Sequence, residues 1–130
     1  MLHQRQLFSS GAKWESIVGY SRAVRVGNLI EVSGTTSADG NIIHGAGDAY
    51  AQAVYIFNKI EKVLLEAGAE MANVIRTRMY VTDINLWLEV GRAHALFFKD
   101  IKPATTLIQI SRLIEPELLV EIEVTAICAG

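Results

Sequence analysis

Hydrophobic and polar residues alternate strictly near the end of the chain. Two sets of side chains interleave there: Val120, Ile122, Val124 and Ala126 in one, and Glu121, Glu123 and Thr125 in the other. Successive side chains of a strand point to opposite faces, so this period predicts a strand with one apolar face and one face carrying two carboxylates. Such a carboxylate faces water, pairs with a cation or lines a site. All three interpretations stay open for Glu121 and Glu123, with Arg76 or Arg78 as the cation of a neighbouring strand.

Other segments also have strand character. Residues 74–82 alternate, and residues 104–110 begin after Pro103, which a strand tolerates at its start. Residues 23–26 and 29–33 flank Gly27-Asn28, a turn dipeptide, and so predict a hairpin. Residues 4–9 form a possible edge strand. The final strand spans residues 119–128.

Two segments have helical periodicity. Apolar residues recur every three or four positions from Asp48, a predicted N-cap, to Ala67, before Gly68. A second helix is predicted from Asp83 to Phe98. Residues 14–20 are interpreted as a connector with a bend at Gly19, and the glycine-rich residues 37–47 as a loop.

The element order is therefore β-β-β-α-β-α-β-β, which predicts an α+β fold: a mixed sheet with both helices on one face. At 130 residues the chain is expected to form a single domain, residues 1–130. Helices on one side leave the other sheet face uncovered. Because that face carries apolar residues such as Leu29 and Ile127, we expect another subunit to cover it.

Composition supports self-association and argues against several other partners. Hydrophobic residues make up 51% of the chain, and the mean hydropathy is +0.27. The formal net charge is −2 without a basic cluster, so no nucleic acid is expected as a partner. No segment resembles a signal peptide or a membrane span, and the single Cys128 suits a reducing compartment. We therefore expect a cytoplasmic protein without a membrane partner.

Candidate chemistry is sparse. His3, His44 and His94 fall in three separate elements, so no metal site is expected. His94, in the middle of a helix, is interpreted as a surface or satisfied interior residue, or as a polar group at a subunit boundary. Tyr20 is interpreted as a packed aromatic with a solvated hydroxyl, or as a ligand contact.

Eight short motifs occur along the chain in a characteristic order. They are Gly19-Tyr20-Ser21, Val32-Ser33-Gly34, Gln52-Ala53, Leu65-Glu66-Ala67-Gly68, Tyr80-Val81-Thr82-Asp83, Phe97-Phe98, Pro103-Ala104 and Val120-Glu121-Ile122-Glu123. No single motif is specific, but the ordered set resembles the RidA/YjgF family of reactive-intermediate deaminases, over nearly the whole chain.

The resemblance implies a chorismate-mutase-like α+β fold that assembles as a homotrimer with three clefts between subunits. Deaminases of the family hydrolyse enamines and imines of 2-keto acids to the keto acid and ammonia, without metal or organic cofactor. A backbone group near the Ser33-Gly34 step assists, and a late glutamate positions water. Carried over by position, Tyr20, Gly34 and Glu123 match the family tyrosine, glycine and glutamate. This match makes Glu123 the stronger site candidate and leaves Glu121 to structural pairing.

The chain departs from the deaminase pattern at two positions. Thr105 stands where an arginine follows the Pro-Ala pair and binds the substrate carboxylate in a bidentate contact. A threonine offers a neutral hydroxyl instead of a forked cation. Gly91 replaces an asparagine. The chain thus resembles a subgroup that keeps the cleft but lacks the carboxylate anchor.

Three functions follow as hypotheses. The first is a homotrimer whose cleft, lined by Tyr20, Ser33, Gly34, Thr105, Thr106 and Glu123, binds a small metabolite other than a simple 2-imino acid. The second is an imine hydrolase that uses another cation, Arg92 or Arg22. The third, the weakest for an acidic chain, is the endoribonuclease or translation-inhibitor role that older descriptions of the family mention.

Overall fold

The computed structural model describes residues 4–128, so His3 lies outside the described residues. Three α-helices are present: α1 (Lys13–Val18), α2 (Ala49–Glu66) and α3 (Trp87–Phe98). The strands are β1 (Arg5–Phe8), β2 (Ala23–Val26), β3 (Leu29–Thr35), β4 (Ala38–Asp39), β5 (Ile42–Ile43), β6 (Val74–Val81), β7 (Ala104–Gln109) and β8 (Val120–Ile127). Short 3-10 turns at Met71–Asn73 and Ile84–Leu86 precede β6 and α3.

Six of the strands form one sheet in the order β1-β2-β3-β8-β6-β7. Strands β6 and β7 are parallel, and every other neighbouring pair is antiparallel. Strand β8 lies between β3 and β6, so the connection after β7 carries the chain past β6 to the middle of the sheet. The predicted separation of the last two strands is confirmed.

Helices α2 and α3 pack on one face of this sheet, with α2 against β3 and β8 and α3 against α2. On that face β8 contributes Val120, Ile122, Val124 and Ala126, each no more than 1% exposed. They meet Ile56, Phe57 and Ile60 of α2, which are fully buried. The predicted α+β class, a mixed sheet with two helices on one face, is confirmed.

One polar side chain holds α2 to the loops at the end of the sheet. Gln52 is fully buried, and its Nε2 donates to the carbonyl oxygens of Gly45 and Glu117 at 3.2 and 2.9 Å. Its Oε1 accepts from the Leu119 N–H at 2.9 Å. The amide thereby satisfies three backbone groups that would be costly to leave unpaired. The Gln52-Ala53 motif thus has a structural role that fixes the start of β8.

Three local predictions were wrong. The connector at 14–20 contains helix α1, whose Glu15 accepts hydrogen bonds from the Ser9 and Ser10 hydroxyls. Gly19 ends the helix in the left-handed conformation, with φ of 90°.

The other two corrections concern the loop at 37–47 and the start of the second helix. The loop contains the β4-β5 hairpin. The Asp83 side chain caps the 3-10 turn that precedes α3. None of these elements is long enough to show a hydrophobic period.

The face of the sheet opposite the helices is uncovered in the single subunit, and we call it the open face. Its middle is polar and carries Glu31, Thr125, Arg78 and Glu123. Large apolar side chains lie around that polar centre. They are Leu7, Val26, Leu29, Ile108 and Ile127, which are between 39% and 60% exposed. An apolar surface of this kind on a sheet is typical of an interaction site. Among residues 4–128, no helix has the length and apolar content needed to cross a bilayer.

Candidate functional site

Gly34 and Glu121 meet at the end of β3, where that strand is irregular. The pairing of β3 with β8 shifts between Val32 and Thr35, so Gly34 lies within a β-bulge. A Cβ atom at Gly34 would lie 2.8 Å from Glu121 Oε1, which is too close for any side chain at this position without movement of the carboxylate. Glycine therefore lets the carboxylate lie directly on the backbone of β3.

Arg22 completes this cluster. Its guanidinium donates to the Gly34 carbonyl oxygen at 2.6 Å and lies 5.8 Å from the centre of the Tyr20 ring. Burial lowers the pKa of Arg22, while Tyr20, Glu15 and Glu121 favour its charged form. Arg22 Nε is buried and has no hydrogen-bond partner among the described residues. Nearby, the Ser33 hydroxyl donates to the Ser21 carbonyl oxygen at 2.7 Å and ties β3 to the segment that carries Tyr20.

The Glu121 carboxyl is half-buried, and its pKa is raised above the ordinary value. Burial is the main cause, and repulsion from Glu123 adds to it, whereas Arg22 opposes the shift. A raised pKa makes a carboxyl a better proton donor and acceptor near neutral pH. We define Gly34, Glu121, Arg22 and Tyr20 as the β3 cluster.

Glu123 lies on the open face of β8, in a different environment from Glu121. It lies across from Arg78 in the register of β6 and β8, and it accepts a hydrogen bond from the Tyr80 hydroxyl. That bond, followed by burial, raises the pKa of Tyr80. The structure thus brings Glu121 to Gly34 and holds Glu123 in a pair with Tyr80, whereas the sequence predicted Glu123 in the cleft and Glu121 in structural pairing. No ion pair joins either glutamate to Arg76 or Arg78 among the described side chains.

A second cation lies near this end of the sheet. Lys59 of α2 donates from Nζ to the carbonyl oxygens of Thr36 and Ala38 at 2.8 and 3.0 Å. Burial lowers its pKa, and repulsion from Arg22 lowers it further. The sequence pattern does not indicate this role, because Lys59 has the spacing of an ordinary helix surface residue.

Thr105 and Thr106 lie on opposite faces of β7. Thr105 faces the helices, and its hydroxyl lies 2.7 Å from Thr77 Oγ1 and 3.2 Å from His94 Nε2. Thr106 faces the open side and accepts a hydrogen bond from Arg76 at 2.5 Å. The two threonines therefore do not line a single surface, although the sequence placed both in one cleft.

Arg92 is not near the β3 cluster. It is exposed on α3, in the helix layer, where its guanidinium lies 5.0 Å from the centre of the Tyr50 ring. Of the two alternative cations that the sequence suggested, the structure places Arg22, and not Arg92, beside Gly34.

The predicted site residues form two separate groups within one subunit. From β3 to β7 the sheet crosses β8 and β6, which at the usual strand spacing puts Gly34 and Thr105 roughly 14 Å apart. Two surface grooves are prominent in the described structure, one along residues 111–118 and one between β1, α1 and Tyr20. Neither is lined by Gly34, Glu121 or Thr105. Neither groove therefore connects the two groups.

Across residues 4–128, no group of three or more His, Cys, Asp and Glu side chains is placed to hold a metal ion. His44 Nε2 lies 3.8 Å from a carboxylate oxygen of Asp39.

Comparison with known proteins identifies the family. The family model described as Endoribonuclease L-PSP matches residues 10–128. A crystal structure of a YjgF/YER057c/UK114 family member from Mycobacterium tuberculosis is 48% identical, covers 96% of this chain and 100% of its own, and has a TM-score of 0.86. An uncharacterized protein of Streptomyces coelicolor is 37% identical over 117 residues, which cover 90% of this chain and 87% of that protein. A RutC family protein of Pyrococcus abyssi is 33% identical over 110 residues, with coverage of 82% and 84%.

The chain therefore belongs to the RidA/YjgF family, as its ordered motifs predicted. Its fold is the chorismate-mutase-like fold that the resemblance implied.

The raised pKa of Glu121 predicts a distinct pH dependence of stability. A carboxyl that holds its proton more tightly when folded stabilises the fold most below its unfolded pKa, ordinarily 4.5, and this contribution is lost as the pH rises through the folded pKa. Glu121→Gln should therefore gain stability relative to the parent protein as the pH rises from about 4 to about 7. Chemical unfolding of both proteins across this range measures the difference. A constant difference would show that Glu121 is not perturbed in the fold.

Proposed function

We propose that the protein is a homotrimer that binds a small metabolite in clefts between subunits, with the β3 cluster of one subunit facing the β7 edge of the next. The observation that carries this proposal is the separation of the two groups. Within one subunit Gly34 lies three strand spacings from the strand of Thr105 and Glu121 lies two, and Glu121 is on the open face whereas Thr105 faces the helices. A small ligand therefore reaches both groups only across a subunit boundary. The homotrimer is the assembly that family resemblance implies.

The open face supports this assembly. Leu29 and Ile127 are paired in register and are 44% and 45% exposed. Leu7 of β1 and Ile108 of β7 add exposed apolar surface at the two edges of the sheet. Contacts with neighbouring copies would remove this area from water, which is the main favourable term in obligate assembly.

The residues of the cleft favour a ligand that does not need an arginine side chain at β7 to bind it. A hydrogen bond to a charged group contributes about 1.5–3 kcal/mol, and leaving a buried charge without a partner costs more. Thr105 supplies a neutral hydroxyl where the deaminases of the family have an arginine. A simple 2-imino acid would therefore lose much of its carboxylate recognition at this position.

A second candidate function is imine hydrolysis with Arg22 as the substitute cation. Arg22 lies beside Gly34 and interacts with Glu121, and its buried Nε is free of a partner among residues 4–128. In this arrangement Arg22 binds the substrate carboxylate while Glu121 moves a proton to or from the attacking water. Glu121, rather than Glu123, is the proton carrier in this proposal, because only Glu121 contacts Gly34.

The assembly predicts a contrast between two exposed leucines. Leu29→Glu places a charge on the open face and should convert a species of three times the 14.3 kDa chain mass into monomers. Leu65→Glu is the matched control, since Leu65 is 60% exposed on the outer side of α2 and should leave the mass unchanged. Sedimentation analysis measures both. A parent protein that sediments as a single chain would refute the trimer.

The two candidate functions differ in their activity on freshly generated 2-aminoacrylate. The small-molecule-binding function predicts that the parent protein does not accelerate ammonia release and that Thr105→Arg gains this activity, because it restores the forked cation. The hydrolase function predicts acceleration by the parent protein and at least a tenfold loss, about 1.4 kcal/mol, in Arg22→Met. No activity in either the parent or Thr105→Arg would show that other parts of the deaminase site have diverged too.

A further inference from the structure

Three side chains form a hydrogen-bonded chain from the interior to the edge of the sheet. His94 of α3 is half-buried, and its Nε2 lies 2.8 Å from the hydroxyl of Thr77, which is fully buried in β6. The Thr77 hydroxyl lies 2.7 Å from that of Thr105, which is exposed on β7. The chain therefore ends in a hydroxyl that solvent or a ligand can reach.

The environment of His94 is uncharged. Its ring contacts Phe57 of α2 and Phe98 of α3, with ring centroids 5.7 and 4.7 Å away, and its polar contacts are the hydroxyls of Thr77 and Thr105. Burial is the sole cause that lowers the His94 pKa, and no charged side chain of the described residues contributes. The imidazole is thus neutral at physiological pH, with one nitrogen that donates and one that accepts.

Thr105 has hydrogen-bonding capacity left over. A hydroxyl offers one donor and two acceptor positions. When His94 donates its Nε2–H to Thr77 and Thr77 donates to Thr105, the Thr105 proton has only a long contact of 3.4 Å with the Pro103 carbonyl oxygen and can be donated to a ligand oxygen. The two arginines on either side of Thr77 in β6, Arg76 and Arg78, face the open side, and Arg76 donates to Thr106. Neither of these two cations is therefore on the same face of the sheet as the Thr105 hydroxyl.

We infer that Thr105 is the ligand-contacting group of the β7 edge and binds an uncharged oxygen, such as an amide or ketone carbonyl, with His94, which contacts both Thr77 and Thr105, as a positioning residue. The inference rests on the proposed function, because the β7 edge lines a cleft only in that assembly. It extends the proposed function by naming the substrate class: neutral carbonyl compounds rather than 2-imino or 2-keto acids.

Two probes of the same shape test the ligand class. Pyruvamide and pyruvate differ in carrying a neutral amide or a carboxylate, and NMR titration of the full-length protein reports both affinity and the residues perturbed. We expect pyruvamide to bind at least about fivefold more tightly than pyruvate and to shift the Thr105 amide signal. Thr105→Val, which keeps the shape of the side chain, should lose this preference, and Thr105→Ser, which keeps the hydroxyl, should retain it.

The positioning role of His94 has its own readout. His94→Phe should weaken pyruvamide binding about as much as Thr105→Val does, and His94→Gln, which keeps polar atoms, should restore it in part. In the Thr105→Val background, His94→Phe should have no further effect on pyruvamide affinity. Additive losses in the double variant would show that His94 acts through general packing and not through Thr105.

The outcomes separate this inference from the proposed function. A trimer in which pyruvate binds as tightly as pyruvamide, or in which neither probe shifts Thr105, would overturn the inference and leave the assembly intact. A monomeric parent protein would overturn the proposed function. Shifts at Thr105 in the absence of shifts at Gly34 would support the hydroxyl as a binding group and contradict a cleft shared by both.

Discussion

Strand β8 is the element on which the rest of the structure depends. It lies between β3 and β6. Its apolar and polar residues alternate, so its side chains point in turn to the helix face and to the open face of the sheet. One set, which includes Ile122 and Val124, builds the core under α2. The other set places Glu121 against Gly34 and Glu123 against Tyr80. Because the side-chain period is two, a shift of one residue in the register would bury both carboxylates in the core, so the apolar face fixes the position of the polar one.

The two glutamates show how burial and hydrogen bonding give similar residues different properties. Glu123 accepts a hydrogen bond from the Tyr80 hydroxyl of the neighbouring strand. Glu121 lies beside the bulge of β3, where burial and the charge of Glu123 raise its pKa and Arg22 opposes this rise. When neighbouring charges of both signs act on a carboxyl group, a ligand that adds or removes a charge nearby changes its pKa. The pKa of Glu121 is therefore sensitive to a change of charge beside Gly34.

Much of the fold could be predicted from the sequence, because long strands and helices carry a hydrophobic period. The hairpin at 23–33, helix α2 and strands β6 to β8 have such a period, and their order also carries the family motifs. Helix α1 has six residues and β4 and β5 have two each, too few for a period to be visible. They are held instead by contacts such as those of Glu15 with Ser9 and Ser10.

The site was less predictable, for reasons of register. The alternation of β7 was sufficient to place Thr105 and Thr106 on opposite faces, but it gave no indication of which face met the helices. The choice between Glu121 and Glu123 depended on the bulge between Val32 and Thr35, which leaves no pattern in the sequence. The contact of His94 with Thr77 and Thr105 depended on the parallel pairing of β6 and β7, a relation between segments distant in the chain.

The central claim is that the β3 cluster and the β7 edge meet between subunits. It is tested most directly in mixed assemblies of isotope-labelled parent subunits and unlabelled subunits that carry a spin label at Thr105→Cys, with Cys128→Ala to leave one reactive thiol. Broadening in the labelled subunits then arises only across a subunit boundary. We expect strong broadening of the Gly34 and Glu121 amide signals and much less at Gly68, beyond the end of α2. Equal broadening at all three, or none at Gly34, would contradict the account.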